Sequence, residues 1–324
     1  MRIHEAIRCW GIASAVLLGS VFACPVSGQV SADDDVAGPV DLRPNFQQGR
    51  TARYQVWTNR RLVRIATFNG DARTAETRIA LTGEVTWTVQ DVNPDGSATC
   101  LMTIDWLTSD VTTADGKIQH SDSRQPGGDI EVMHKMLRAM TGVPLMFRVS
   151  ADGLVETVKG TEAIRLAVGD GAPPIEDLDF IETASDLALV SAAPAAADPG
   201  HAWHTDFTWS HDLGTMDYAT DFRLDSVEDL AGIPVATVTG RATLQLNPEE
   251  QDLPEGVPPP DIRLTHGSLT TQVMFDLLRH EAVGRNTVES RTIQVTMDLG
   301  QGRQIVTTAT EEIHSQALRI DEQD

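Results

Sequence analysis

Cysteine is nearly missing from this chain, with three in 324 residues, at positions 9, 24 and 100. A disulfide framework is thereby excluded, because the stretch with regular apolar patterning holds Cys100 alone. Stability must come from an ordinary apolar core, which a chain of this length can bury. Positive charge is scarce too. The 25 Lys and Arg face 47 Asp and Glu, a formal net charge of −22. Such a surface repels phosphate backbones, which argues against a nucleic acid partner. No apolar run approaches the ~20 residues that a bilayer-spanning helix needs. Catalytic signatures are missing as well: there is no Gly-x-Ser-x-Gly elbow, no P-loop and no dinucleotide-binding glycine pattern. His280-Glu281 opens like a zinc-protease helix, but Gly284 stands where the second histidine belongs. The chain reads as a non-enzyme with no cofactor.

What is present begins with an export signal. Arg2 and Arg8 lead into an uncharged, mostly apolar run from Gly11 to Ala23, the size of a secretory signal core and too short to span. Two cleavage readings stay open. Val21-Phe22-Ala23 before Cys24 has the form of a lipobox; residues 1–23 would then leave, and a diacylated Cys24 would anchor the protein stably. Cleavage after Val26-Ser27-Gly28 removes residues 1–28 instead. Either reading places the protein in the periplasm or cell envelope. Residues 24–48, with Asp33-Asp34-Asp35 and Gly38-Pro39, hold too little apolar surface to offset their ordering entropy and read as an acidic tether.

Beyond the tether, strand alternation dominates. Ile79, Leu81, Val85, Trp87 and Val89 share one face, and Ala98, Cys100, Met102, Ile104 and Trp106 resume the pattern after Asn93-Pro94-Asp95-Gly96. A four-residue loop there pairs Val92 with Ser97, Val89 with Cys100, Trp87 with Met102 and Val85 with Ile104. Further strands are predicted at Arg53–Phe68, with a bend near Asn59, and around the turn Ala151-Asp152-Gly153. Others cover Met216–Asp225, Ile233–Leu246, Leu269–Leu277, Ile293–Leu299 and Arg303–Ile313. An amphipathic helix runs from Asp129 to a stop at Gly142, a short one covers Thr161–Val168, and a third opens at Pro173-Pro174 towards Val190. The fold class is mainly β (α+β): large curved antiparallel sheets in two β-rich halves, residues 49–169 and 201–324. About three helices between the halves pack on one face, and an Ala/Pro linker closes residues 170–200. Met146-Phe147 and Met274-Phe275 hint at an internal repeat. The Pro-rich loop Pro248–Pro260 reads as stiff and exposed.

Several groups are candidates for chemistry. Met133, Met136, Leu137 and Met140 form an adaptable apolar surface suited to a lipid or acyl chain, and helix-on-sheet packing accounts for the same residues. Trp57, Trp87 and Trp106 offer a flat platform for sugar rings, although Trp87 and Trp106 follow the inward parity of core residues. His201, His204 and His211 with Asp206 and Asp212 are weak metal candidates. His201 and His204 share a face only in a helix, and Phe207-Thr208-Trp209 reads as strand. Cys100 sits at an apolar strand position, which predicts a buried, inert thiol.

The entry Leu42-Arg43-Pro44-Asn45-Phe46-Gln47-Gln48-Gly49, the long alternating strands, and the strand-Ala-Asp-Gly-strand unit Phe147–Val158 leading into Gly160-Thr161-Glu162 together resemble a family of uncharacterised bacterial exported β-rich proteins. The similarity covers most of residues 40–320 and implies no catalytic residues. In outline the chain also resembles the LolA/LprG-type half-barrel lipoprotein carriers, a likeness of fold that does not fix function. The resulting expectation is a non-enzymatic envelope protein that shelters a lipid or other apolar ligand. A structural or protein-binding module of the envelope is the alternative, and a metal-dependent hydrolase built on the His201–Asp212 cluster is a minor one.

Overall fold

The structure is a computed structural model that describes residues 38–68, 70–168, 192–211, 213–249, 258–300 and 303–320. The export signal, Cys24, the helix expected from Pro173, Asp212 and most of the Pro248–Pro260 loop lie outside these residues. So does the side chain of His211.

Twelve strands are formed: β1 (Thr51–Phe68), β2 (Asp71–Val92), β3 (Ala98–Thr112), β4 (Ile118–Asp122), β5 (Pro144–Val149), β6 (Val155–Lys159), β7 (Ala202–His211), β8 (Gly214–Leu230), β9 (Ile233–Pro248), β10 (Asp261–Asp276), β11 (Glu281–Asp298) and β12 (Gln304–Arg319). Two helices accompany them among the described residues, α1 (Glu131–Met140) and α2 (Thr161–Val168). The fold is mainly β, as expected, but the two halves are not separate sheets. All strands belong to one antiparallel sheet in the order β6-β5-β3-β2-β1-β12-β11-β10-β9-β8-β7, with β4 attached to β3. The join is β1 on β12, in register from Tyr54↔Arg319 to Phe68↔Ile305. Strand alternation cannot announce this pairing, because it is the longest-range one in the chain. Its physical logic lies in the edges. Unpaired, β1 and β12 would present two long rows of open backbone groups; joined, they leave the short strands β4 and β6 and the ten-residue β7 as edges among the described residues.

The 93–97 hairpin shows how local chemistry sets register. Asn93 pairs with Ser97 around Pro94-Asp95-Gly96, and Gly96 takes a left-handed φ of +83° that favours glycine. The loop is therefore one residue shorter than expected, and Val92 faces Ala98 rather than Ser97. A bulge at Gln90 absorbs the difference, so Val89↔Cys100, Trp87↔Met102 and Val85↔Ile104 stand as predicted. A second bulge, at Asp105, turns Trp106 to the opposite face. The inward parity expected for Trp106 is thus wrong, whereas Trp87 is buried. β1 keeps unbroken register past Asn59 on both sides.

The face carrying Tyr54, Trp87 and Cys100 is concave. Trp87 on β2 stacks on Phe147 of β5 across the intervening β3, with centroids 5.9 Å apart. The Tyr54 hydroxyl on β1 donates to the Ala282 carbonyl on β11 across β12. Such reaches between non-adjacent strands require the sheet to roll toward this face. α1 closes it over β3 and β4, with Met136, Leu137 and Met140 in the same apolar cluster as Trp87, Cys100, Ile104 and Phe147. Asp129 does not start α1, since its carboxylate accepts the His120 N–H at 2.8 Å; the first-turn acid is Glu131. Parts of the expected tether and linker are also ordered into the fold. Val40 and Ala197 exchange backbone hydrogen bonds, and Leu42 is 0 % exposed among Ala193, Phe222 and Phe275. Leu42 supplies the apolar surface, and the alanines are small enough to let the two segments lie close to the sheet.

Candidate functional site

Strand register lays the concave face of β1, β12 and β11 out in rows. From the turn end inward these are Phe68/Ile305/Met297, Ala66/Thr307/Val295, Arg64/Ala309/Ile293, Leu62/Glu311/Arg291, Arg60/Ile313/Glu289 and Thr58/Ser315/Thr287. The first row is apolar and partly open, with Phe68 42 % and Met297 38 % exposed, whereas Val295 and Ile293 in the next two rows are buried in an apolar cluster with Met216, Tyr218 and Leu244. On the opposite face the same span carries Arg61, Val63 and Ile65 on β1, but Thr308, Thr310 and Glu312 on β12 and Thr292, Gln294 and Thr296 on β11. The sheet is thus amphipathic here, with its apolar side inward.

Beneath the apolar rows lies a charged belt. Arg60 donates from Nε to Glu311, and Arg291 donates to the other Glu311 oxygen through Nε at 2.6 Å, with Nη2 at 2.5 Å. Arg291 Nη1 lies 3.4 Å from Glu289. Across the roll from β8, the Tyr218 hydroxyl donates to Glu289 at 3.2 Å. The two carboxylates respond differently to one environment. Burial acts to raise both. For Glu311 the attraction of Arg291 and Arg60 outweighs burial and holds its pKa below the usual value, whereas Glu289 has one looser guanidinium and is pushed up. Burial disfavours the Arg291 cation, but Glu311 and Glu289 together raise its pKa. These residues went unremarked in the sequence although the signal was there. Glu289 and Arg291 share parity with Ile293, Val295 and Met297, and Arg60 shares it with Tyr54 and Val56. A charge at an inward strand position must find a partner or open to water.

The other candidates are dispersed. Met136, Leu137 and Met140 are buried in packed core, and Met133 is partly buried at its edge. Cys100 is fully buried, and burial pushes its thiol pKa up to about 12. Trp57 and Trp106 lie on the outer face and Trp87 on the inner, so the three share no platform. Trp106 instead donates to Glu84 at 3.3 Å under the Arg124 guanidinium, which sits 4.3 Å from its ring. His204 lies outward on β7 between Asp221 at 2.7 Å and Asp206 at 3.0 Å, and hydrogen bonds to these carboxylates raise its pKa. His201 precedes the strand and packs near Trp203. Among the described residues, no three His, Cys, Asp or Glu side chains are placed to hold a metal.

A hollow of about 540 Å³ beside α1 is bordered by Gly127, Gly128, Glu131, His134, Lys135 and Arg138. His134 is only 6 % exposed, and neither ring nitrogen makes a hydrogen bond to a described residue. A buried polar group without a partner costs stability, so His134→Leu is expected to stabilise the fold by about 1 kcal/mol in urea denaturation. A fall in the midpoint would show that the imidazole has a partner in solution.

No family profile matches the sequence, and no curated protein matches it. Among solved structures, a crystal structure of a DUF1329 family protein from Desulfovibrio piger aligns over 80 % of this chain and 84 % of its own, with 10 % identity and a TM-score of 0.13. A likeness that slight carries no argument about the site.

Proposed function

We propose that this is an exported, non-enzymatic envelope protein that holds the acyl chain of a lipid against the concave face of β1, β12 and β11. The observation that carries this is the asymmetry of the sheet at its turn end. Phe68, Ile305 and Met297 face inward and stay partly open, while the outer face of the same rows is largely threonine and charge. An exposed apolar concavity in an acidic protein marks a place for an apolar partner. The outline of a rolled sheet with helices on one face agrees with the LolA/LprG-type carriers as a fold-level analogy. The acyl site lies away from the methionines of α1, whose inward side chains are already covered by the sheet.

The neutral fluorescent probe N-phenyl-1-naphthylamine is expected to brighten on binding the protein. Phe68→Glu and Met297→Glu are each expected to weaken binding tenfold or more, because a carboxylate desolvated in an apolar contact is costly. Lipid extraction of protein purified from an exporting host should yield acyl chains. Without probe binding and without extracted lipid, the carrier reading falls and an envelope protein-interaction module takes its place. The export reading has its own test. If Cys24 is lipidated, Cys24→Ala is expected to move the protein from the membrane to the soluble fraction, since two acyl chains supply the stable anchor. An unchanged distribution would leave cleavage after Gly28.

A further inference from the structure

Among the described residues, β7 is the long strand edge that carries no protection. An open edge offers its N–H and C=O groups to any extended chain, and proteins blunt such edges with short strands, bulges, proline or lysine. β4 is five residues long, and Asp129 already occupies its outer edge: the Asp129 N–H donates to the His120 carbonyl, and the Asp129 carboxylate accepts the His120 N–H. β6 is equally short, pairs through a register shift at Arg148/Val149 and ends in Lys159. β7 has ten residues, neither proline nor lysine, and unbroken register on β8 from Ala202↔Arg223 to His211↔Gly214. Its inner face carries Trp203, stacked on Phe222 at 5.5 Å, then Phe207 and Trp209 against Tyr218. Phe207 is 37 % exposed, and Trp203 and Trp209 are half-buried. The outer face sets His204 beside Asp206, both exposed. An aromatic strip along an open edge is the kind of surface to which a further strand adds.

The order of residues in β7 selects which strand fits. When two copies of one strand pair antiparallel about a two-fold axis, their apolar faces stay together only if the axis passes through a residue and not between two. An axis at His204 or at Asp206 sets that residue against itself, like on like. An axis at Thr205, and at no other residue, places His204 of each copy opposite Asp206 of the other. The same axis places Trp203 opposite Phe207, so every pair occurs twice and the strand is complementary to itself in charge and in aromatic surface. We propose that β7 is a dimer interface: a second copy of this chain adds its own β7 antiparallel about an axis at Thr205, and the two sheets become one. This reading is independent of what the concave face binds.

The test uses protein recovered from an exporting host. Sedimentation equilibrium over a dilution series is expected to show dimers that dissociate as the protein is diluted. Two charge variants read the register at about pH 6, where histidines carry charge. His204→Asp sets an aspartate opposite Asp206 of the second copy, and Asp206→His sets a histidine opposite its His204. Each alone is expected to dimerise at least tenfold more weakly than the wild type, because like charges directly opposite repel. Mixed in equal amounts, the two variants are expected to associate with each other, since every charge then faces its opposite. Single cysteines in a Cys24→Ala background check the same register without touching His204, and Cys100 is fully buried. Directly opposite residues stand about 4.5–5.5 Å apart at Cα, within reach of a disulfide. Under mild oxidant, Thr205→Cys is therefore expected to cross-link into a dimer at least tenfold faster than Asp206→Cys or Phe207→Cys. A wild type of monomer mass at every concentration would overturn the proposal and leave the β7 edge to an extended peptide of another protein. So would faster cross-linking at Asp206 or Phe207, single charge variants that dimerise as the wild type does, or a mixture that stays monomeric.

Discussion

Glu311→Ala is expected to destabilise the fold by about 3–5 kcal/mol, the usual cost of removing one partner from a buried ionic cluster. Glu311 is the hub of the belt. It accepts from Arg60 on one oxygen and from Arg291 on the other, and only 6 % of the residue is exposed. Without it, two guanidiniums on neighbouring rows face each other with Glu289 as the only remaining carboxylate of the cluster. Against a typical total stability of about 5–15 kcal/mol, the variant should show a large drop in urea midpoint. Replacing the set together, with Arg60→Met, Glu311→Leu and Arg291→Met, should cost far less, because no uncompensated charge remains. A loss below about 1 kcal/mol for Glu311→Ala would mean that the belt is wetted rather than buried.

The two carboxylates also give the belt opposite pH signatures. Glu311 has a folded-state pKa below its ordinary value. Its stabilising contribution is therefore present above the ordinary glutamate range and is lost as pH falls through the folded-state value. Glu289 has its folded-state pKa raised, mainly by burial. Folding prefers its protonated form, so its penalty appears as pH climbs past the ordinary glutamate value and grows until the folded-state value is passed. Glu289→Gln is expected to match the wild type in acid and exceed it in stability above that window, as read from urea midpoints across pH. A variant equally destabilised at all pH values would show that Glu289 acts by shape or hydrogen bonding and not by charge.

Much of this architecture is legible in sequence wherever one face of a strand is uniformly apolar. Trp87 and Val85 fall opposite Met102 and Ile104 because a one-residue slip would turn every apolar side chain to solvent. Where that pattern stops, so does legibility. Residues 71–78 of β2, Asp-Ala-Arg-Thr-Ala-Glu-Thr-Arg, do not alternate and are extended because β1 holds them in register. β4 is five polar-rich residues carried by β3. The pairing of β1 with β12 leaves no local trace at all. Bulges are the other blind spot, since one extra residue at Asp105 sends Trp106 outward without altering composition. The charged belt is a different case. Its residues occupy inward parity in full view, and finding them requires only asking where a glutamate among valines sends its charge.

Phe147→Ala is expected to cost about 3–5 kcal/mol, the range for removing a large aromatic from a core that cannot fully collapse. Phe147 is fully buried on β5, pairs with Cys100 on β3, and stacks over Trp87 two strands away. α1 covers the same cluster with Met136, Leu137 and Met140. Sheet on one side and helix on the other leave few atoms free to move into the vacated space. The resulting cavity should stay dry, as apolar cavities of that size do, and should bind benzene or xenon. This result bears on where the acyl chain lies. If Phe147→Ala loses stability but binds N-phenyl-1-naphthylamine as the wild type does, the packed methionine face and the open row at Phe68 and Met297 are independent regions. If it weakens probe binding as strongly as Phe68→Glu, the chain enters beneath α1, and the site belongs to the helix after all.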